Sequence, residues 1–148
     1  MYIEVVGAGS WGLALARVLA RNGHRVRLWC REEDEPEQLR RSRTSPVYLP
    51  GVKLPESIEI ARDDDPSVDI AILAVPSHVM RKAVELHRFS DETIRVSVAK
   101  GIENESLKRM SEVIREVSGT RRIVVLSGPS HAEEVGKEIG RASCRERV

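Results

Sequence analysis

Aromatic residues make up only 3% of this 148-residue chain, and cysteine occurs twice, as Cys30 and Cys144. So few aromatics make a poor stacking platform for single-stranded nucleic acid. Two cysteines supply neither a disulfide framework nor a metal-ligand set. An excess of one charge is missing as well: 24 Lys and Arg face 23 Asp and Glu, for a net charge of +1. No bulk field therefore favours a nucleic acid or an anionic membrane surface. No apolar run approaches the roughly 18 residues of a membrane span. The first expected strand starts at Met1 and leaves no room for a leader, so the expectation is a cytoplasmic protein with no membrane insertion. His24, His78, His87 and His131 are scattered without ligand spacing, and no metal site is expected.

What is present is 41% hydrophobic residues, enough for one core in one domain. The last nine residues, GRASCRERV (140–148), carry three arginines against one glutamate and little apolar pattern. They read as a translated junction, not native sequence, and the domain is taken as residues 1–139. Within it strand and helix patterns alternate. Strands are expected at Tyr2 to Val6, at RVRLWC (25–30) with Val26 and Leu28 on one face, at Ile58 to Ala61, at DIAILAVP (69–76), at TIRVSVA (93–99) and at RIVVLS (122–127). Helices are expected at Ser10 to Arg21, where Asn22 and Gly23 stop the run, at Ser77 to about His87, and near Ser106 to Val117. The charged stretch from Glu32 to Arg43 reads as a short exposed helix around Pro36. SPVYLPGVKLP, with three prolines, reads as an ordered loop without regular structure. The alternation predicts an α/β fold of the Rossmann type, a doubly wound parallel sheet with ligands at the carboxyl ends of its strands.

The most informative stretch is VVGAGSWGLALA (5–16), a G-x-G-x-x-G pattern that follows a strand and opens a helix. In that context Gly7 permits the tight turn, Gly9 lets a pyrophosphate approach the backbone, and Gly12 lets helix and strand pack closely. Free N–H groups at the helix start face the phosphates. The plain alternative is a strand-to-helix turn without a ligand. A site for NAD usually carries Asp or Glu at the end of the second strand, about 20 residues on. Trp29, Cys30 and Arg31 stand there instead. An arginine can pair with a 2′-phosphate and stack on adenine, which favours NADP with NAD tolerated; otherwise Arg31 is solvated and Glu32 or Glu33 takes the ribose. Trp11 has little core to fill at such a loop, so it is a candidate cofactor contact. Lys100 directly follows a strand and precedes Gly101, which would let its ammonium project over the sheet's carboxyl edge, where an oxyanion is attracted; the plain alternative is an exposed loop lysine. Ser77 and Ser130 read as helix caps, Ser130 with Glu133 as a capping box.

GAGSWGLALA, YLPGVKLP, AVPS, AKGIE and SGPSHAEEV, in this order and spacing, resemble the amino-terminal domain of bacterial NAD(P)-dependent glycerol-3-phosphate dehydrogenases over residues 1 to about 138. The resemblance implies that Gly7, Gly9, Ser10, Trp11 and Gly12 hold the cofactor, NADP or NAD. By the same resemblance Arg31 and Tyr48 lie at the adenosine end, Lys100 touches cofactor and substrate, Gly128 and Ser130 contact the glycerol phosphate, and Ala132 sits toward the nicotinamide. The substrate pair implied is sn-glycerol 3-phosphate and dihydroxyacetone phosphate, in glycerophospholipid synthesis, and the resemblance allows a homodimer when full-length. No catalytic residue is expected in this chain, because the family's general-base lysine belongs to a helical carboxy-terminal domain that is absent here. Leu13, Ser45 and Ala99 depart from the family's usual residues. The alternatives are another two-domain dehydrogenase of the ketopantoate or hydroxyacid type, a non-catalytic dinucleotide-binding module, and a methyltransferase.

Overall fold

The computed structural model describes residues 1–128 and 131–137; Pro129, Ser130 and the 138–148 stretch, with its expected non-native tail, lie outside the described residues. The β-branched run Tyr2–Val6 forms β1, and the Ala/Leu-rich Ser10–Arg21 forms helix α1. β2 follows at Arg25–Trp29, then a 3-10 turn at Glu32–Asp34 and α2 at Pro36–Ser42. The expected single helix over 32–43 is thus split. Glu35 takes a left-handed conformation (φ 49°) and Pro36, which lacks an N–H, restarts the helix at its first position.

β3 (Thr44–Ser45) and β4 (Leu49–Lys53) form an antiparallel hairpin. This corrects the expectation of an irregular loop. A two-stranded ribbon has only edges, so Pro50 can sit on β4 without breaking a ladder between neighbours. β5 (Glu59–Ala61), β6 (Ile70–Leu73), a 3-10 turn (Ser77–Val79), α3 (Met80–Leu86) and β7 (Ile94–Ser97) come next. α4 (Met110–Ser118), β8 (Ile123–Val125) and the short α5 (Ala132–Gly136) complete the described elements.

α4 starts later than its sequence pattern suggests. Leu107 is left-handed (φ 57°), Glu103 N–H donates to the Lys108 carbonyl at 2.9 Å, and Ile102 bridges Arg109. The Ser106 hydroxyl is spent on Glu103, whose carboxylate also takes two Arg81 N–H groups at 2.8 Å.

Six strands pair in parallel in the order β5-β2-β1-β6-β7-β8. Side chains alternate across this sheet. Ile3, Val5, Val26, Leu28, Ile60 and Ile72 face α1, α2, the hairpin and α5. Val6 and Leu73 face Met80 and Val84 of α3 and Met110, Val113 and Ile114 of α4. Ala14 and Ala16 are fully buried, so α1 lies close against the sheet through small side chains. The chain winds outward from β1 to β2 and β5, then returns to β6 and continues to β7 and β8. The winding direction reverses between β1 and β6, where open α/β sheets place ligands.

Candidate functional site

The turn after β1 is shaped by contacts that exclude side chains. Gly7 has φ 111°, and a Cβ there would stand 2.6 Å from the Ala74 carbonyl oxygen; a Cβ on Gly12 would stand 1.9 Å from the Gly7 oxygen. Gly7 N–H donates to the Trp29 carbonyl (3.1 Å) and Ala74 N–H to that of Val6 (2.9 Å), locking the turn between the ends of β2 and β6. Gly9 differs: a Cβ there would meet nothing within 4 Å. Two glycines are therefore needed by the protein's own packing, and the third faces open space. The N–H groups of Ala8 and Gly9 donate to no main-chain acceptor among the described residues. Those of Ser10, Trp11 and Gly12 begin a helix and have no intrahelical partner. Gly9, the N-cap of α1, provides no side-chain cap. The result, among the described residues, is a row of free donors at the positive end of a 12-residue helix, beside the open space at Gly9. A diphosphate fits that chemistry.

Arg31 and Tyr48 come together at one end of this row. Arg31 follows β2 and Tyr48 lies in the β3–β4 turn; Tyr48 lines a cavity of about 210 Å³ together with Glu33, Asp34, Glu35, Leu39 and Ser45 among others, and Arg31 is tied to its wall through Asp34. Arg31 is not a free cation. Its Nη2 donates to Asp34 Oδ1 at 3.1 Å, and its Nε and main-chain N–H donate to Asp34 Oδ2 at 3.4 and 3.0 Å. These hydrogen bonds to Asp34 raise the guanidinium pKa further above its ordinary value. Glu32 pairs with Arg62 at 3.2 Å. Cys30 is buried, and burial pushes its thiol up to about 12, so it stays protonated and unreactive.

At the other end the loops after β6 and β7 meet. A Cβ on Gly101 would lie 3.6 Å from the Ser77 hydroxyl, so AVPS and AKGIE adjoin the Gly7 turn through Ala74. Ser77 is the first residue of the turn and Pro76 holds the N-cap position, so Ser77 does not occupy the capping place expected of it. Lys100 is exposed and makes no ion pair among the described residues. Gly128 is exposed just beyond β8. Trp11 is half-buried against the α1-side core, so part of its ring has core to fill. Ala132 opens α5, which docks on α1 and β4, and is half-buried against that same core. The structure thus gathers Arg31, Tyr48, the glycine loop and Lys100 along the carboxyl edge. Ala132 enters through α5, and Ser130 with its capping-box reading lies outside the described residues.

Sequence reasoning missed one polar cluster. Glu4 is fully buried at the centre of β1, opposite Arg27 of β2 in register. Arg27 Nη1 lies 3.8 Å from Glu4 Oε2, while its other nitrogens reach Glu59 (3.2 Å) and Asp63 (2.7 Å). Neither Glu4 oxygen has a hydrogen-bond partner among the described residues. Burial pushes its carboxyl up to about 7, against the opposing pull of Arg27. His87, edge-on to Trp29 at 4.5 Å, places Nδ1 2.5 Å from Asp64 Oδ1. Glu4, Asp64 and His87 bring ligand-type atoms within 4.8 Å of one another, an assembly no spacing in the sequence suggested. Arg27 already stands beside it as a protein cation. The signal available was a glutamate inside an apolar strand, which required a partner.

A parallel sheet with a glycine-bared helix start at its switch point defines a dinucleotide-binding α/β domain. The chain belongs to the family described as NAD-dependent glycerol-3-phosphate dehydrogenase N-terminus, which it matches over residues 2–144. Among curated relatives, the glycerol-3-phosphate dehydrogenase [NAD(P)+] of Geobacillus thermodenitrificans is 49% identical over 142 residues, covering 90% of this chain and 41% of the relative. The crystal structure of glycerol-3-phosphate dehydrogenase from Coxiella burnetii superposes with a TM-score of 0.79 at 32% identity, over 92% of this chain and 43% of that one. A ketopantoate reductase from Ralstonia eutropha, at 20% identity and a TM-score of 0.63 over 84% of this chain and 40% of that one, shares the fold alone. The chain spans about two-fifths of the length of the relatives it matches. No helix among the described residues is long and apolar enough to cross a membrane.

Proposed function

We propose that this chain is the nucleotide-binding part of a cytoplasmic enzyme that interconverts sn-glycerol 3-phosphate and dihydroxyacetone phosphate with NAD(P)(H), on the route to glycerophospholipids. The observation that carries the reading is the contrast within the glycine loop: Gly7 and Gly12 admit no side chain because the protein's own backbone is there, while Gly9 faces open space. In this reading the amides from Ala8 to Gly12 receive the pyrophosphate, with Ser10 and Trp11 against the cofactor. Arg31 and Tyr48 border the adenosine, Lys100 reaches phosphate or hydroxyl oxygens, and Gly128, Ser130 and Ala132 lie toward the substrate and nicotinamide. Held by the glycine loop, a nicotinamide cofactor would supply the hydride chemistry for oxidation at C2 of the glycerol phosphate. The chain's own part is to bind and orient: the glycine loop fixes the diphosphate, and Lys100 supplies a positive charge beside it. In this reading the general base comes from the part of the enzyme that this chain does not span, and the full-length enzyme forms a homodimer.

Calorimetric titration of NADH and NADPH into the folded 148-residue chain tests the reading. Saturable binding of at least one nucleotide is expected, with negligible turnover of dihydroxyacetone phosphate. Binding of neither at millimolar concentration refutes the nucleotide site. Turnover at ordinary enzymatic rates contradicts placing the base outside this chain.

A further inference from the structure

The segment after β2 reads Arg31-Glu32-Glu33-Asp34-Glu35, one guanidinium followed by four carboxylates. A 2′-phosphate bound at the adenosine ribose would need that guanidinium as its counter-charge, and its geometry shows where the charge is already directed. Asp34 is nearly sealed, with 4% of its side chain exposed, whereas the Arg31 side chain is 58% exposed. Asp34 takes Arg31 through Nε, Nη2 and the main-chain N–H together. The last of these caps the 3-10 turn, so the carboxylate cannot swing away without uncapping it. The second cation at this end, Arg62 after β5, is held by Glu32 and is half-exposed. Glu33, Asp34 and Glu35 line the adjoining cavity.

We propose that this end of the site selects NAD(H) over NADP(H), with Asp34 as the specificity-determining residue because it neutralises Arg31. The inference rests on the nucleotide-binding reading above and reverses the preference that Arg31 alone suggests. A ribose diol offers two hydroxyl donors, which carboxylates accept. A phosphate monoester offers up to two negative charges and no compensating donor. Entering here, it meets Arg31 and Arg62 already paired and the carboxylates of Glu33 and Glu35 close by, so like-charge repulsion discriminates against it.

Fluorescence titration of the 148-residue chain with NADH and with NADPH decides the matter. Wild-type chain is expected to bind NADH about fivefold or more tightly than NADPH. Asp34→Asn frees the Arg31 charge and should move the affinity ratio about tenfold toward NADPH. If that variant fails to fold, Glu33→Gln, an exposed change beside the cavity, should move the ratio the same way by about two- to threefold. The proposal is overturned by wild-type binding of NADPH as tight as NADH, or by a ratio that neither variant moves. Failure of both nucleotides to bind any of the chains instead removes the nucleotide site itself and this inference with it.

Discussion

Gly12 and Gly9 are three positions apart and would respond to the same methyl group in opposite ways. Gly12→Ala drives a Cβ to within 1.9 Å of the Gly7 carbonyl oxygen, which is backbone and has no flexible end to move. The expected cost is about 3 kcal/mol, visible in a denaturant melt. Gly9 has φ −71° and open space around its Cβ position, so Gly9→Ala should change stability by less than about 0.5 kcal/mol. The same methyl would stand in the path of the proposed pyrophosphate, and NADH affinity should drop about tenfold or more. Wild-type affinity in Gly9→Ala would show that the gap is not a phosphate seat. Glu4 makes a separate residue-level prediction. Its carboxyl is raised from 4.5 to about 7 in the folded protein, so over that window the unfolded chain releases the proton first. Stability contributed by neutral Glu4 is complete below about pH 4.5, declines as pH rises to about 7, and stays lost above it. The total is about 3 kcal/mol. Glu4→Gln should flatten that decline in urea midpoints measured from pH 4.5 to 8. An unchanged slope would mean that Arg27 holds Glu4 ionised throughout.

Among the elements, α5 depends most on its neighbours. Its five residues are far too few for a helix to persist alone in water, and it is held by docking on α1 and β4. The contact is tight at Gly136, where a Cβ would lie 3.2 and 3.3 Å from the two Leu49 methyls and 3.5 Å from Val52. Gly136→Val should lift α5 from the hairpin at a cost of about 1–2 kcal/mol. Hydrogen exchange reads this directly: the amides of Val135 and Lys137, bonded to His131 and Glu133, should lose protection while those of β1 and β6 keep theirs. Loss of protection across the whole sheet would instead make α5 part of one cooperative unit with it. The hairpin beneath α5 also shows how an element escapes notice. Three prolines and a glycine between 46 and 55 argue against a strand within a sheet, yet a ribbon with no interior strand tolerates them. The late start of α4 has a similar origin, since Leu107 is held left-handed beside Glu103, which is itself fastened by Arg81 from α3.

For the molecule as a whole, the proposed ligand spans the loops at the carboxyl edge of the sheet. The turn after β1 is bonded to the ends of β2 and β6, and AKGIE after β7 leans on Ser77. A dinucleotide laid along this edge would add a crosspiece between both halves of the sheet. By mass action, NADH at a hundred times its Kd should stabilise the fold by about 2.7 kcal/mol. Scanning calorimetry should register that as a rise in Tm of roughly 5–10 °C for a domain of this size. A saturating nucleotide that leaves Tm unmoved would place binding in the unfolded chain as much as in the folded one. At the far side of the sheet, among the described residues, β8 pairs with β7 alone, and Val124, Val125 and Leu126 are about half-exposed there, so that edge contributes less to the core than β1 or β6.

The amino-acid order by itself determined the strands of the parallel sheet, the crossovers between them and the glycine turn, though not the β3–β4 hairpin. Each follows from near neighbours: periodicity over a few residues, a helix stop at Asn22 and Gly23, and steric limits at Gly7 and Gly12. Only the tertiary structure decided the partners of the charged groups. Glu4 meets Arg27 because β1 and β2 pair in one register, His87 meets Asp64 from 23 positions away, and Glu32 is drawn off to Arg62. Even Arg31 and Asp34, three residues apart, depend on a 3-10 turn where a continuous helix was expected. Local sterics depend on adjacent atoms, whereas an ion pair depends on which distant segments the folded backbone brings within a few ångströms, and the pattern of one segment does not carry that information.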